Sequence, residues 1–225
     1  MSAVPPPPFR PARPSTDDLP ATAGARAVSS WLFDAPRAVL SSAPVGGGSA
    51  AADWLLNIGV GADYDRTDLG EHARDIADRL GLTGTGLAML TAVDVHRMVR
   101  ASDGDVVVDA TVGVTKPTWA ADVDGAHGRR AAGGWEPGTI NVVVQLPVAL
   151  SPAAAVNAVM TATEAKAQAL FEVGVPGTGT ASDAVAVVWP PTVPVEAFGG
   201  PRSTWGARIA RAVRAAVSDG LERHP

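Results

Sequence analysis

Three neighbouring stretches set the fold class: Gly138-Thr139-Ile140-Asn141-Val142-Val143-Val144-Gln145-Leu146, then Ser151 to Phe171, then Ala184-Val185-Ala186-Val187-Val188-Trp189. The first and third are short, nearly unbroken apolar runs rich in β-branched residues. Such runs read as strands buried on both faces. Between them, Ser151 suits the N-cap and Pro152 the first helical position, so a helix is expected over about 152–171. Helices interleaved with apolar strands point to an α/β class: a single domain with a mixed β-sheet covered by helices.

Working outward, Trp31-Leu32-Phe33, Ala38 to Ala43, Leu55 to Val60, Leu87 to Val93 and Asp105 to Val112 read as further strands. Pro44 to Ser49 is a glycine-rich turn. Asp68 opens a second helix whose Ala73, Ile76, Ala77 and Leu80 fall at helical spacing, with Gly81 and Gly84 closing it. A last helix runs from Ser203, with Trp205, Ile209, Val213, Val217 and Leu221 repeating every fourth residue. Its Arg208, Arg211 and Arg214 are expected on a solvated face. Residues 116–137 form a loop of Gly, Ala and Asp. Residues 1–25 hold Pro5 to Pro8, Pro11, Pro14 and Pro20, and are expected to be a disordered tail ahead of a domain at 26–225. There is also an internal echo. Asn57, a helix and Gly84-Thr85-Gly86 match Asn141, a helix and Gly177-Thr178-Gly179 in order, which suggests a duplicated strand–helix–turn unit.

Composition narrows the function classes. The chain of 225 residues is 46% apolar and 18% charged, as a well-filled globular domain requires. A net charge of −5, from 23 acidic and 18 basic residues, lacks the basic footprint of a nucleic-acid binder. Absence of cysteine removes disulfides, thiolate metal sites and thiol nucleophiles. No run approaches the roughly 18 apolar residues of a membrane span, and the N-terminus lacks a secretory pattern. A soluble, cytoplasmic protein with no membrane partner is expected. His72, His96, His127 and His224 have no metal-ligand spacing, so no metal is expected. His72 sits on a polar stretch.

The chemistry-bearing residues concentrate between 138 and 183. On the 152–171 helix, Val156, Val159, Met160, Thr163, Ala167 and Leu170 share one stripe, with Lys166 at its edge and Glu164 to one side. Thr163 and Lys166 read either as a Thr-x-x-Lys pair with a desolvated amine, or as a self-bonded threonine beside a snorkelling lysine. Gly177-Thr178-Gly179-Thr180-Ala181-Ser182-Asp183 is either a backbone cradle for an oxyanion or carbonyl, or a plain helix-to-strand connection. Asn141 is either a ligand contact or a buried clamp. Ser41 and Ser42, ahead of Gly46, Gly47 and Gly48, form either a ligand-facing small-residue loop or a turn.

Together, Ser41-Ser42-Ala43 with Gly46 to Gly48, Gly138-Thr139-Ile140-Asn141, Thr163-Glu164-Ala165-Lys166, Gly177 to Asp183, and Phe198-Gly199-Gly200 before Trp205-Gly206 resemble the adenosylcobinamide amidohydrolase family. The likeness spans roughly residues 38–220. It implies hydrolysis of the amide joining a corrin-ring side chain to aminopropanol, giving adenosylcobyric acid for coenzyme B12 salvage. The corrinoid with its cobalt would be the substrate, and no separate cofactor is implied. Lys166, Asp183 and Glu164 would handle protons. Thr180 or Ser182, or a water they hold, would attack, with the Gly177–Gly179 backbone as oxyanion donor. Substrate contacts would come from Asn141, Thr139, Thr163, Gly177, Thr178, Gly179, Ser41, Ser42, Gly47 and Asn57. A corrinoid carrier without turnover is the alternative, and a homo-oligomer is compatible with either.

Overall fold

The computed structural model describes residues 9–123, 138–191 and 194–223. Ten strands and three α-helices run in the order β1 (Ser15–Asp18), β2 (Ala27–Ser41), β3 (Gly48–Gly59), α1 (Leu69–Arg79), β4 (Gly86–Thr91), β5 (Val99–Asp103), β6 (Val106–Val112), β7 (Ile140–Gln145), β8 (Ala149–Leu150), α2 (Pro152–Glu172), β9 (Ala184–Trp189), β10 (Val195–Glu196) and α3 (Thr204–Arg223). Eight strands make one mixed sheet in the order β4-β3-β2-β9-β7-β6-β5, with β1 added on β2. β3 with β4 and β7 with β9 are parallel pairs, and the other pairs in this sheet are antiparallel. Among the described residues no helix is long and apolar enough to cross a membrane.

The sheet folds back on itself, and strand alternation shows how. Trp54, Leu56 and Ile58 of β3 pack with Ala73, Ile76 and Ala77 of α1. The alternate residue Leu55 joins Trp31, Leu87 and Met89 against Val143, Ala186 and Val188 of the far strands. Outward from those far strands, Val142, Val144, Val185 and Val187 meet Ala158, Ala162, Ile209 and Val213 of α2 and α3. Two sheet leaves thus enclose an interior layer, with α1 outside one leaf and α2 and α3 outside the other. β2 passes between the leaves by a register change between Leu32 and Arg37. The two short strands expected at Trp31–Phe33 and Ala38–Ala43 are therefore one bent strand.

Three expectations need correction. First, the tail is part of the fold from Phe9 onward. Ser15–Asp18 pairs with Ser30–Ala27 of β2, and the Ala12 N–H reaches Gln145 Oε1 at 2.8 Å. Proline rules out ladder donation at its own position, but Ser15 to Asp18 contains none.

Second, α2 turns a different face inward. Its buried residues are Ala154, Ala155, Ala158, Thr161, Ala162, Ala165, Lys166, Ala169 and Leu170, while Val156 and Met160 are more than half exposed. Small side chains let α2 approach α3 and the loop before it closely. A Cβ on Gly199 would meet Ala158 N at 2.9 Å, and Thr161 Oγ1 donates to Gly199 O at 2.9 Å.

Third, His72 is buried rather than on a polar surface. Its Nε2 donates to the Ala23 carbonyl at 2.9 Å, leaving Nδ1 to accept from Tyr64 Oη at 2.7 Å. Arg66 holds the Asp68 carboxylate at 2.9 and 2.5 Å, so Asp68 stands at the N-terminus of α1 without capping it through its side chain. Ser151 caps α2 as expected, accepting from Ala154 N at 3.2 Å. On α3, Arg211 pairs with Asp103 and Arg214 with Glu172, while Arg208 lies over the Trp205 ring. The loop at 124–137, His127 and His224 lie outside the described residues.

The internal echo corresponds to two strand–helix–strand crossovers, β3-α1-β4 and β7-α2-β9, each joining parallel neighbours. Their asparagines meet: Asn141 Nδ2 donates to Asn57 Oδ1 at 2.8 Å. The units differ otherwise, with 11 residues in α1 against 21 in α2, and β8 present only in the second.

Candidate active site

β7 and β9 run parallel, so their N-terminal ends lie side by side, with Asn141 opposite Ala184. The residues just before them, Thr139 and Ser182, share a hydroxyl–hydroxyl hydrogen bond of 2.9 Å. Thr139 is buried and Ser182 exposed. One residue on, Asp183 turns to the opposite side of β9, toward α2. There its carboxylate forms an ion pair with Lys166, and both side chains are under a tenth exposed. Asp183 also accepts from Ile140 N at 2.9 Å, Thr180 N at 3.0 Å and Thr180 Oγ1 at 2.5 Å. Four donors on one carboxylate compensate its burial and fix the turn at 180–183 against the start of β7.

The structure therefore brings Lys166, Asp183, Thr180, Ser182 and Thr139 together. It separates two others from them. Glu164 is exposed. Thr163 is exposed too, and donates to the Val159 carbonyl one turn back at 2.9 Å. Lys166 neither pairs with Thr163 nor snorkels, because Asp183 holds its amine.

The Gly177–Gly179 backbone is less open than an oxyanion cradle requires. Gly177 N donates to Val175 O at 2.9 Å, Thr178 N to Thr118 O at 2.9 Å, and Gly179 O accepts from Thr118 N at 2.8 Å. A Cβ on Gly177 would meet Thr118 N at 2.6 Å. Glycine is needed here because the 116–118 segment lies directly against it. The matching turn at Thr85 is likewise held by a carboxylate, Asp53 Oδ2, which accepts from Thr85 N at 2.8 Å.

Ser41 and Ser42 latch β2 to β9. Ser41 Oγ donates to Val185 O at 3.0 Å, and Ser42 Oγ accepts from Val185 N at 3.1 Å. A Cβ on Gly47 would sit 3.1 Å from Ser41 O. These three residues shape the loop that closes the β2–β3 hairpin.

Asn141 and Asn57 belong to the interior layer beside Thr139. Asn57 Nδ2 donates to Thr111 Oγ1 at 3.0 Å, and Asn141 Nδ2 also donates to Leu90 O at 3.0 Å. Asn141 Oδ1 is buried without a hydrogen-bond partner among the described residues. An unpaired buried acceptor is costly, and is the kind of exception found where a site is built.

Two residues further along β6 and β7 the same layer holds a second polar group that the sequence reading missed. Asp109 accepts from Trp31 Nε1 at 2.9 Å and from Arg100 at 2.7 and 3.0 Å. Burial pushes its carboxyl above the ordinary range, outweighing Arg100, Trp31 and Gln145, which pull it down. The signal was present: one Asp inside Val106-Val107-Val108-Asp109-Ala110 is as anomalous as Asn141 in its own strand. Among the described residues no three His, Asp or Glu side chains are grouped to hold a metal ion.

Hydroxyls, an ammonium and a carboxylate gathered at the ends of two parallel strands are groups that a hydrolase can use. Comparison with known proteins identifies which: the chain belongs to the adenosylcobinamide amidohydrolase (CbiZ) family, whose profile matches residues 16–225. It is 34% identical over 198 residues to the adenosylcobinamide amidohydrolase of Halobacterium salinarum, covering 84% of this chain and 82% of that one. With the adenosylcobinamide amidohydrolase of Methanosarcina mazei it shares 28% over 190 residues, 80% of this chain and 88% of the relative. Among solved structures, the PH0078 protein from Pyrococcus horikoshii OT3 is similar over 89% of this chain and 78% of its own, with a TM-score of 0.44 and 11% identity. The matched region begins within β1, ahead of the boundary expected at residue 26.

Proposed function

We propose that this protein hydrolyses the amide between the corrin side chain and aminopropanol in adenosylcobinamide. Water adds across the C–N bond, the acyl carbon keeps the hydroxyl as the acid of adenosylcobyric acid, and the nitrogen leaves as the amine of aminopropanol. The product would re-enter coenzyme B12 assembly by a salvage route. The corrinoid and its cobalt are substrate in this reading, and no further cofactor takes part. Family membership and the names of the relatives support the substrate. The observation that carries the mechanism is the Thr139–Ser182 hydroxyl pair beside the buried Lys166–Asp183 pair.

Ser182 Oγ, or a water it holds, is the attacking oxygen, with Thr139 Oγ1 as its hydrogen-bond partner. Thr180 is a weaker candidate, since its hydroxyl is given to Asp183 at 2.5 Å. Asp183 is a positioning residue whose four donors leave little room to act as a free base. Lys166 lies with Asp183 on the opposite side of β9 from Ser182 and acts through the 180–183 turn that sets Ser182, while the proton lost by the attacking oxygen passes by way of Thr139 Oγ1 to the leaving amine. Asn57 and Asn141 form a buried polar pair beside Thr139. Gly177, Thr178, Gly179, Ser41, Ser42 and Gly47 contribute shape more than donors.

The test is incubation of the full chain with adenosylcobinamide, followed by mass analysis for adenosylcobyric acid and free aminopropanol. Stoichiometric product supports the reading. Tight corrinoid binding with no product would establish a carrier instead.

A further inference from the structure

The N-terminal segment forms a feature that amide hydrolysis does not use. The main chain of Ala12 is held at both polar atoms. Its N–H donates to Gln145 Oε1 at 2.8 Å, and its carbonyl accepts from Gln145 Nε2 at 3.0 Å and Arg100 Nη2 at 2.7 Å. Pro11 and Pro14 restrict φ on either side of that fixed point. Arg10 and Arg13 are consequently set at defined places flanking Ala12. Opposite them, the register change in β2 between Leu32 and Arg37 re-aims the side chains of that stretch, as bulges do.

The two segments enclose a cavity of about 230 Å³ lined by Arg10, Arg13, Arg37, Asp34, Leu32 and Phe33. The lining carries three arginines and one aspartate, an excess of two positive charges in a chain whose net charge is −5. None of the three arginines forms an ion pair within 4 Å among the described residues. Arg37 lies over the Phe9 ring at 5.5 Å. Its burial lowers its pKa from the ordinary value, and Asp34 offsets that only in part.

We propose that this cavity is a binding site for a phosphate-bearing ligand, with the phosphate on Arg10, Arg13 and Arg37 and an apolar part against Leu32 and Phe33. Guanidinium groups pair with phosphate through parallel N–H···O bonds, and a dianionic phosphate matches the two unbalanced charges where a carboxylate would leave one. The site is separate from the candidate active site. Ala38, next to Arg37, pairs with Trp189, six residues along β9 from Asp183, or about 20 Å at strand rise. It rests on this geometry alone and not on the amidohydrolase reading.

The experiment is titration calorimetry of the full chain at constant ionic strength with inorganic phosphate, phenyl phosphate and acetate. Inorganic phosphate should bind saturably at one site, phenyl phosphate more tightly, and acetate not measurably. The double variant Arg10→Gln/Arg13→Gln changes two exposed residues and should retain the wild-type melting temperature. It should weaken phosphate at least about tenfold, equivalent to about 1.4 kcal/mol, and Arg37→Gln should act likewise. Absence of saturable phosphate binding, acetate binding of equal strength, or unchanged affinity in the double variant would each overturn the assignment. Equal affinity for the two phosphates would remove the apolar wall from it.

Discussion

Replacing Asp183 by asparagine should destabilise this protein more than replacing its partner Lys166 by methionine, although each change breaks the same ion pair. The asymmetry follows from what each leaves behind. Among the described residues Asp183 is the partner of the Lys166 amine, and less than a tenth of that side chain reaches solvent. In Asp183→Asn the ammonium stays buried, facing an amide. Neither orientation of that amide helps. One places its NH2 against Lys166 and Thr180 N, the other against Ile140 N. Removing one member of a buried pair in this way costs about 3–5 kcal/mol.

Lys166→Met keeps the volume and removes the charge. Asp183 then retains Ile140 N, Thr180 N and Thr180 Oγ1, so its carboxylate stays hydrogen-bonded. A loss of about 1–3 kcal/mol is expected, the range for a lost charge-assisted hydrogen bond. The double variant should recover part of the sum, with a coupling of about 0.5–3 kcal/mol. Equilibrium urea unfolding, followed by the fluorescence of the six tryptophans, measures all four corners of the cycle. Equal or greater damage from Lys166→Met, or losses below about 1 kcal/mol in both single variants, would refute the claim that Asp183 is a saturated clamp.

Glu164→Ala should leave adenosylcobinamide hydrolysis near the wild-type rate because the side chain is exposed on the far side of α2, whereas Ser182→Ala should lower kcat by about 100-fold or more, the scale of a lost catalytic proton-transfer group. Steady-state product formation checks both, and an active Ser182→Ala would move the attack to a free water or to Thr180. Gly199→Ala drives a methyl into the α2 backbone at Ala154 and Ala158, and should cost about 1–3 kcal/mol in unfolding midpoint as an overpacked contact. Asp109 gives a pH signature. Burial raises its folded value above the ordinary 3.8, so its contribution is fully present below that value and is lost as pH rises through the raised one. The stability of Asp109→Asn relative to wild type should therefore increase from about pH 3 toward neutral, and a decrease across that window would contradict the burial argument.

The fold class was legible because the strands of 140–146 and 184–189 are apolar on both faces, and because Ser151-Pro152 marks a helix start unambiguously. The face of α2 was not. Hydropathic phasing gives most weight to Val156 and Met160, yet this helix buries alanines, whose small volume permits close approach to α3 and to Gly199. Side-chain size, not hydrophobicity, decided the orientation. Lys166 survived the error because it lay at the edge of the assumed stripe and inside the real one. Thr163 and Glu164 did not. The Gly177–Gly179 turn looked like a ligand cradle because glycine removes side chains from any close approach. Here the approaching group is the backbone at Thr118, a partner 60 residues distant that no local pattern announces. The N-terminal segment was misjudged for the same reason: its anchors, Gln145 and Arg100, are 133 and 88 residues away.

The position of β9 has a consequence for synthesis. This strand sits between β2 and β7, and its bond to Ser41 spans 144 residues of sequence. Until residue 189 has left the ribosome, β2 and β7 each present an unpaired edge, the feature that templates aggregation. Contacts of such sequence separation also close slowly. The nascent chain is thus committed to waiting, half-built, for a six-residue strand near its far end. Truncation anywhere before Ala184 should yield an insoluble product.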